Sequence, residues 1–174
     1  MTGKERCPLA VVGRGNSLTA DFLRKITGFP VEELTPCQAV MLEGERRYRA
    51  VIVENYNDFR RDTLSGCAAA RWVLGGRTDV TVAALDDAEG QRLAACGLPV
   101  FSYSDGLPQA DLTANNVRIR DGRLEFMALS GLELLRVQVA LGDGPRLYDC
   151  LAALAGAMAL GIPLDRAASR LSAG

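Results

Sequence analysis

"LAVVGRGNSLTADFLRKI" (Leu9–Ile26) is a short apolar, β-branched run that turns on two glycines and continues as a helix. Leu9–Val12 has no polar side chain before Gly13, the pattern of a central parallel strand buried on both faces. In "NSLTADFLRKITG", Asn16 or Ser17 is the N-cap and Gly28 the C-terminal stop, while Leu18, Phe22, Leu23 and Ile26 fall on one face. A strand, a glycine turn and a helix bring backbone N–H groups and a helix N-terminus to one point, which suits a phosphate. A working Walker loop adds a lysine for the β/γ-phosphates and a hydroxyl for magnesium. Here Ser17 stands where that lysine belongs. Two readings of Gly13 and Gly15 therefore stay open: an anion-binding loop, or a turn that needs glycine only for its backbone.

Outward from this stretch, "QAVMLEG" and "YRAVIVEN" read as two further strands around "GERR". "DTLSGCAAARWVLGG" predicts a helix from about Asp62 to Leu74, closed by Gly75 and Gly76. "DVTVAALDD" is another buried strand with its acids at the carboxyl end, "AEGQRLAACG" a short helix and "LPVFSYS" a strand. The pattern then changes to alternation. "NNVRIRDGRLEFMAL" has the form of a hairpin turning on Asp121-Gly122, and "LELLRVQVAL" is a third alternating run. The apolar, alanine-rich helix "RLYDCLAALAGAMALGI" follows, then a short helix with Pro163 near its start. This order predicts an α/β fold: a mostly parallel central sheet flanked by helices, with an antiparallel section around 111–141. The 174 residues are read as a single domain.

Composition narrows the chemistry. A net charge of −1 with scattered basic residues argues against a nucleic-acid or anionic-membrane partner. The absence of histidine excludes Ser-His-Asp and Cys-His catalysis and His-containing zinc sites. The five cysteines, Cys7, Cys37, Cys67, Cys96 and Cys150, show no C-x-x-C spacing. They read as reduced, small buried core residues of a cytoplasmic protein. The N-terminal apolar run is too short for a signal peptide, and the 13-residue stretch "CLAALAGAMALGI" is too short to span a bilayer.

The ending "LYDCLAALAGAMALGIPLDRAASRLSAG" resembles the end of the Mur ligase central domain, which typically reads "G-x-H-N-x-x-N-A-x-A-A-x-A-x-A-x-x-x-G-I" there. Three more stretches fall in family order. "AVVGRGNSLTADFL" sits at the family's "G-T-N-G-K-T-T", "AVIVENYNDF" at its strand running into "T-N-x-x-x-D-H", and "VAALDDAEGQRLA" at its "L-N-x-D-D-P". The resemblance covers nearly the whole chain and implies a nucleoside-triphosphatase-like α/β domain from the ATP-dependent amide ligases of peptidoglycan synthesis. It implies the central ATP-binding domain alone, without the UDP-binding N-terminal domain or the C-terminal ligase domain.

The departures bear on function. In this alignment Asn16 takes the loop's last glycine, Ser17 its lysine and Leu18 its magnesium-binding hydroxyl, for which Thr19 substitutes in part. Losing the lysine removes a charge that holds phosphates and stabilises the transferring group. Ala84 replaces the asparagine before Asp86-Asp87, Pro145 and Arg146 replace the late histidine and asparagine, and Asp149 the next asparagine. Glu43 is a loose counterpart of the family's metal-binding glutamate. The candidate nucleotide-binding residues are therefore Gly13, Arg14, Gly15, Asn16, Ser17, Thr19, Asn55, Asp58, Asp86, Asp87, Arg146 and Asp149. For Asp58, Asp86 and Asp87, capping of the helix that follows is the favoured reading. No catalytic residue and no metal site is assigned, and ATP with magnesium remains as a weakened cofactor. Three functions follow. One is a degenerate, non-catalytic Mur-ligase-like domain that binds or scaffolds beside a cell-wall ligase. The second is a nucleotide or nucleotide-sugar binder of altered chemistry, and the third a homo-oligomeric structural module.

Overall fold

The computed structural model describes residues 8–13, 17–41, 46–54, 76–142 and 147–173. Its centre is an eight-stranded sheet in the order β2-β1-β3-β4-β5-β6-β7-β8. The strands are β1 (Leu9–Val12), β2 (Val31–Leu34), β3 (Tyr48–Val53), β4 (Thr78–Ala84), β5 (Val100–Ser104), β6 (Leu112–Arg120), β7 (Arg123–Ser130) and β8 (Glu133–Ala140). The first six are mutually parallel, and β7 and β8 continue the sheet antiparallel. The helices are α1 (Leu18–Thr27), α2 (Pro36–Met41), α3 (Ala88–Ala95), α4 (Leu147–Ala159) and α5 (Leu164–Ser172).

Period-two alternation along the strands builds a core on each face. Leu9, Val11, Ile52, Val82 and Tyr103 face α1, α4 and α5. Ala10, Val12, Val51, Val53 and Ala83 face the other way, with Ala39 of α2 and Leu93 of α3. Helix α4 is buried continuously from Cys150 to Ala157. Its small residues let it approach closely: a Cβ on Gly156 would stand 2.9 Å from Leu23 and 3.0 Å from Ile52. Ser17 is the N-cap of α1, and Gly28, with φ 73°, closes that helix in the left-handed region. The buried face of α1 is Thr19, Ala20, Leu23 and Ile26, with Phe22 partly buried. Leu18 is not on that face; at the first helical position it is 37% exposed.

"QAVM" is a helix rather than a strand. Thr35-Pro36-Cys37-Gln38 forms a capping box: Gln38 N donates to Thr35 Oγ1 at 3.2 Å, and Thr35 N donates to Gln38 Oε1 at 2.9 Å. Pro36 supplies the preset φ of a first helical turn. The strand next to β1 is instead "VEEL", whose two acids suit a sheet edge. The helix expected over 62–74 lies outside the described residues. Of the cysteines, Cys150 is buried as expected, but Cys96 follows the last turn of α3 and is exposed.

The hairpin turns on Asp121 and Gly122, with φ of 51° and 70°, the backbone that a primed two-residue turn requires. Strand β6 pairs with β5 only through Tyr103–Leu112 and Ser104–Thr113. Asp111 fixes this short overlap by accepting from Ser102 N and Oγ, both at 2.7 Å. The rest of β6 overshoots β5, so the antiparallel extension projects beyond the parallel sheet.

Candidate functional site at the carboxyl edge of the sheet

Strand β1 lies between β2 and β3, so the chain leaves β1 and β3 in opposite directions. In open α/β sheets ligands bind at such a switch point, outside the carboxyl ends of the strands. Gly13 follows β1 and Glu54 follows β3, and Glu54 N donates to Val12 O at 3.0 Å. The Glu54 carboxylate lies where a Cβ on Gly13 would have to be. Ser17 Oγ donates to Glu54 Oε1, and Ser17 N donates to Glu33 Oε2 at 2.9 Å. Glu33 is also held by Arg24 Nη2 at 2.7 Å. Two carboxylates of the chain itself therefore occupy the N-terminal end of α1, where the helix favours negative charge.

Behind this turn, Thr19 is buried and its Oγ1 lies 3.5 Å from Asp149 Oδ1, at the long limit of a hydrogen bond. At the end of β4, Asp87 is the N-cap of α3 and accepts from Gly90 N at 2.6 Å. Asp86 accepts from Ser104 Oγ at 2.7 Å and Asp105 N at 3.0 Å. Burial and then the Asp86 charge push the Asp105 carboxyl up. Burial raises the Tyr148 phenol, and Asp86 adds to the shift. Burial, followed by the Asp149 charge, pushes the Cys150 thiol up to about 12, so it is inert at neutral pH. Tyr103 is fully buried with its ring 6.4 Å from that of Tyr148, and its hydroxyl has no hydrogen-bond partner among the described residues. Burial and the charges of Asp87, Glu54 and Asp149 raise its pKa far above the ordinary phenol value.

Six of the twelve candidate residues, Gly13, Ser17, Thr19, Asp86, Asp87 and Asp149, are thus brought to one edge. Arg14, Gly15, Asn16, Asn55, Asp58 and Arg146 lie outside the described residues, as does Glu43. The sequence reading missed Glu54 and Glu33, which hold Ser17, and Tyr103, Ser104, Asp105 and Tyr148, which surround the aspartates. Glu54 carried a signal, as the charged residue ending the apolar run "YRAVIV". Among the described residues no three carboxylate or thiol groups converge as a metal cage.

No protein-family sequence model matches the chain, and no curated protein matches it. Solved structures do. MurF from Acinetobacter baumannii superposes with a TM-score of 0.75 over 95% of this chain, at 14% identity. The chain has the Mur ligase middle-domain fold. MurF from Thermotoga maritima, solved with ADP, has a TM-score of 0.65 at 10% identity, covering 95% of the chain. A pseudomurein peptide ligase type C from Methanothermus fervidus has a TM-score of 0.66 at 11% identity, covering 96%. The chain spans a little under half the length of these ligases, 45%, 48% and 49% respectively. The eight-stranded mixed sheet is therefore the Mur ligase fold expected from the sequence. Among the described residues no helix is long and apolar enough to cross a membrane.

Proposed function

We propose that this Mur-ligase-fold domain does not perform ATP-dependent ligation itself. Its role is binding or scaffolding linked to cell-wall precursor synthesis, in the cytoplasm, beside a true ligase. The observation that carries this reading is the Glu54 carboxylate, seated against Gly13 and bonded to Ser17 at the lysine position. Phosphoryl transfer depends almost wholly on positive charge and positioning around the phosphates. Here the same place holds the Glu54 carboxylate instead. The link to cell-wall synthesis is taken from the neighbours, among them a murein peptide ligase and a pseudomurein peptide ligase.

The test is a calorimetric titration of the folded protein with ATP at millimolar concentration, with and without magnesium. No saturable heat is expected in either condition. Saturable binding that is lost when Gly15 is replaced by a bulky residue would overturn the reading and identify a nucleotide binder of altered chemistry.

A further inference from the structure

The antiparallel extension carries a second surface, remote in its chemistry from the carboxyl edge. Strand register puts Arg118 and Arg120 of β6, Arg123 of β7 and Arg136 of β8 on one face. That face is opposite the one where Phe126, Ala128 and Val137 join the core. The whole chain has a net charge of −1, yet Glu125 is the sole acid among the strand residues of this face. Arg120 and Arg123 stand directly opposite each other, a like-charge pairing that destabilises a sheet. Asp121 at the turn, 3.4 Å from Arg120 Nε, offsets part of that repulsion.

Glu125 organises the centre. Its side chain is 7% exposed and accepts from Arg118 Nε at 2.9 Å, Arg136 Nη2 at 3.0 Å and Gln138 Nε2 at 2.6 Å. Two guanidinium groups are thereby held in place, while the Nη groups of Arg118 make no bond among the described residues. Arg123 is exposed and forms no ion pair among the described residues. Held guanidinium forks lose little entropy on meeting a carboxylate. Apolar side chains continue the same face beside and beyond the charges: Met127, opposite Arg136, and Leu129 are half-buried, and Leu134, opposite Leu129, is 55% exposed. A shallow depression of about 400 Å³ opens there between Asn116, Met127 and the Arg118–Glu125–Arg136 group.

We propose that this face docks an acidic, partly apolar peptide segment of a partner protein. Carboxylates of that segment meet Arg118, Arg120, Arg123 and Arg136, and its apolar residues lie on Met127, Leu129 and Leu134. A nucleic acid suits the face less well. The central carboxylate of Glu125 repels a phosphate backbone, and among the described residues no aromatic ring on this face offers a base a stacking platform. The assignment is independent of whether the glycine turn at Gly13 binds a nucleotide.

The probe is a fluorescein-labelled peptide of about twelve alternating Glu and Leu residues, titrated with the full chain and followed by anisotropy. Saturable binding is expected. It should weaken with salt and fall about tenfold or more in the Arg120→Gln/Arg123→Gln variant, whose melting temperature should not drop because the opposed like charges are gone. Three results would overturn the proposal: no saturable binding, equal binding of the matching Lys-Leu peptide, or tighter binding of a single-stranded DNA oligonucleotide than of the acidic peptide.

Discussion

The Glu54 carboxylate and Gly13 share one place: the space a Cβ would fill at residue 13 is taken by the end of the Glu54 side chain. The glycine is thus needed for a close approach. Glu54 is a flexible side chain, so Gly13→Ala should displace it rather than unfold the turn. The displaced carboxylate gives up its bond from Ser17 Oγ, a loss of about 1.5–3 kcal/mol for a hydrogen bond to a charged group. In a Glu54→Ala background that cost should largely vanish. A double-mutant cycle read by urea denaturation checks this, and additive effects of the two substitutions would contradict the shared-space relationship.

Most of this architecture could be read from local signals. "LAVV", "AVIV" and "VTVAA" are apolar and β-branched as strands buried on both faces must be, and Asp121-Gly122 announces its hairpin. The region after α1 was misread for two identifiable reasons. "VEEL" is four residues long with two acids, so it has too little apolar content to register as a strand, although an edge position tolerates it. "QAVML" is apolar enough to imitate a strand, and the capping box that marks it as a helix pairs its first residue, Gln38, with Thr35 three residues upstream. At the site, Gly13 and Ser17 were visible because they are adjacent in sequence. Glu33 was not, because only the pairing of β2 with β1 carries it to the N-terminus of α1.

The end of β4 offers a sharper contrast between a cap and a close contact. Asp87 accepts from Gly90 N at 2.6 Å, and a Cβ on Gly90 would collide with the backbone carbonyl oxygen of Ala84. Asp87→Ala should cost about 1 kcal/mol, the usual loss for an N-cap. Gly90→Ala should cost more, about 2–3 kcal/mol, because the obstacle is strand backbone and cannot swing aside. Equilibrium denaturation of both variants checks the order. A Gly90→Ala protein as stable as the parent would mean that α3 shifts freely on the sheet.

Glu125 gives the fold an acid-sensitive element. Arg136, together with Arg118 and Gln138, lowers its carboxyl from the ordinary value of 4.5 to about 2. A carboxyl whose folded pKa is depressed stabilises the protein above its unfolded value, and that contribution fades as pH falls through the folded one. The window is therefore about pH 4.5 down to about 2. Glu125→Gln should be less stable than the parent at neutral pH, and the gap between them should close across this window. Urea midpoints measured from neutral pH to pH 2 follow the gap. A constant difference over the whole range would show that the carboxylate's charge contributes nothing.

Tyr103 poses the opposite case, a polar group that the fold buries without reward. Its hydroxyl is inaccessible and has no hydrogen-bond partner among the described residues, and burial, helped by the nearby charges of Asp87, Glu54 and Asp149, keeps the phenol protonated. An unsatisfied buried hydroxyl costs about 1–3 kcal/mol, whereas a phenyl ring in the same place carries no such penalty. Removing the oxygen leaves a small void beside Tyr148, which returns part of the gain. Tyr103→Phe should therefore stabilise the protein by about 1 kcal/mol, a rise of about 2–4 °C in melting temperature for a chain of this size. Thermal melts followed by circular dichroism measure it directly. A fall instead would show that the hydroxyl has a partner in the folded protein, and would make Tyr103 a polar contact of the carboxyl-edge site rather than a misplaced core residue.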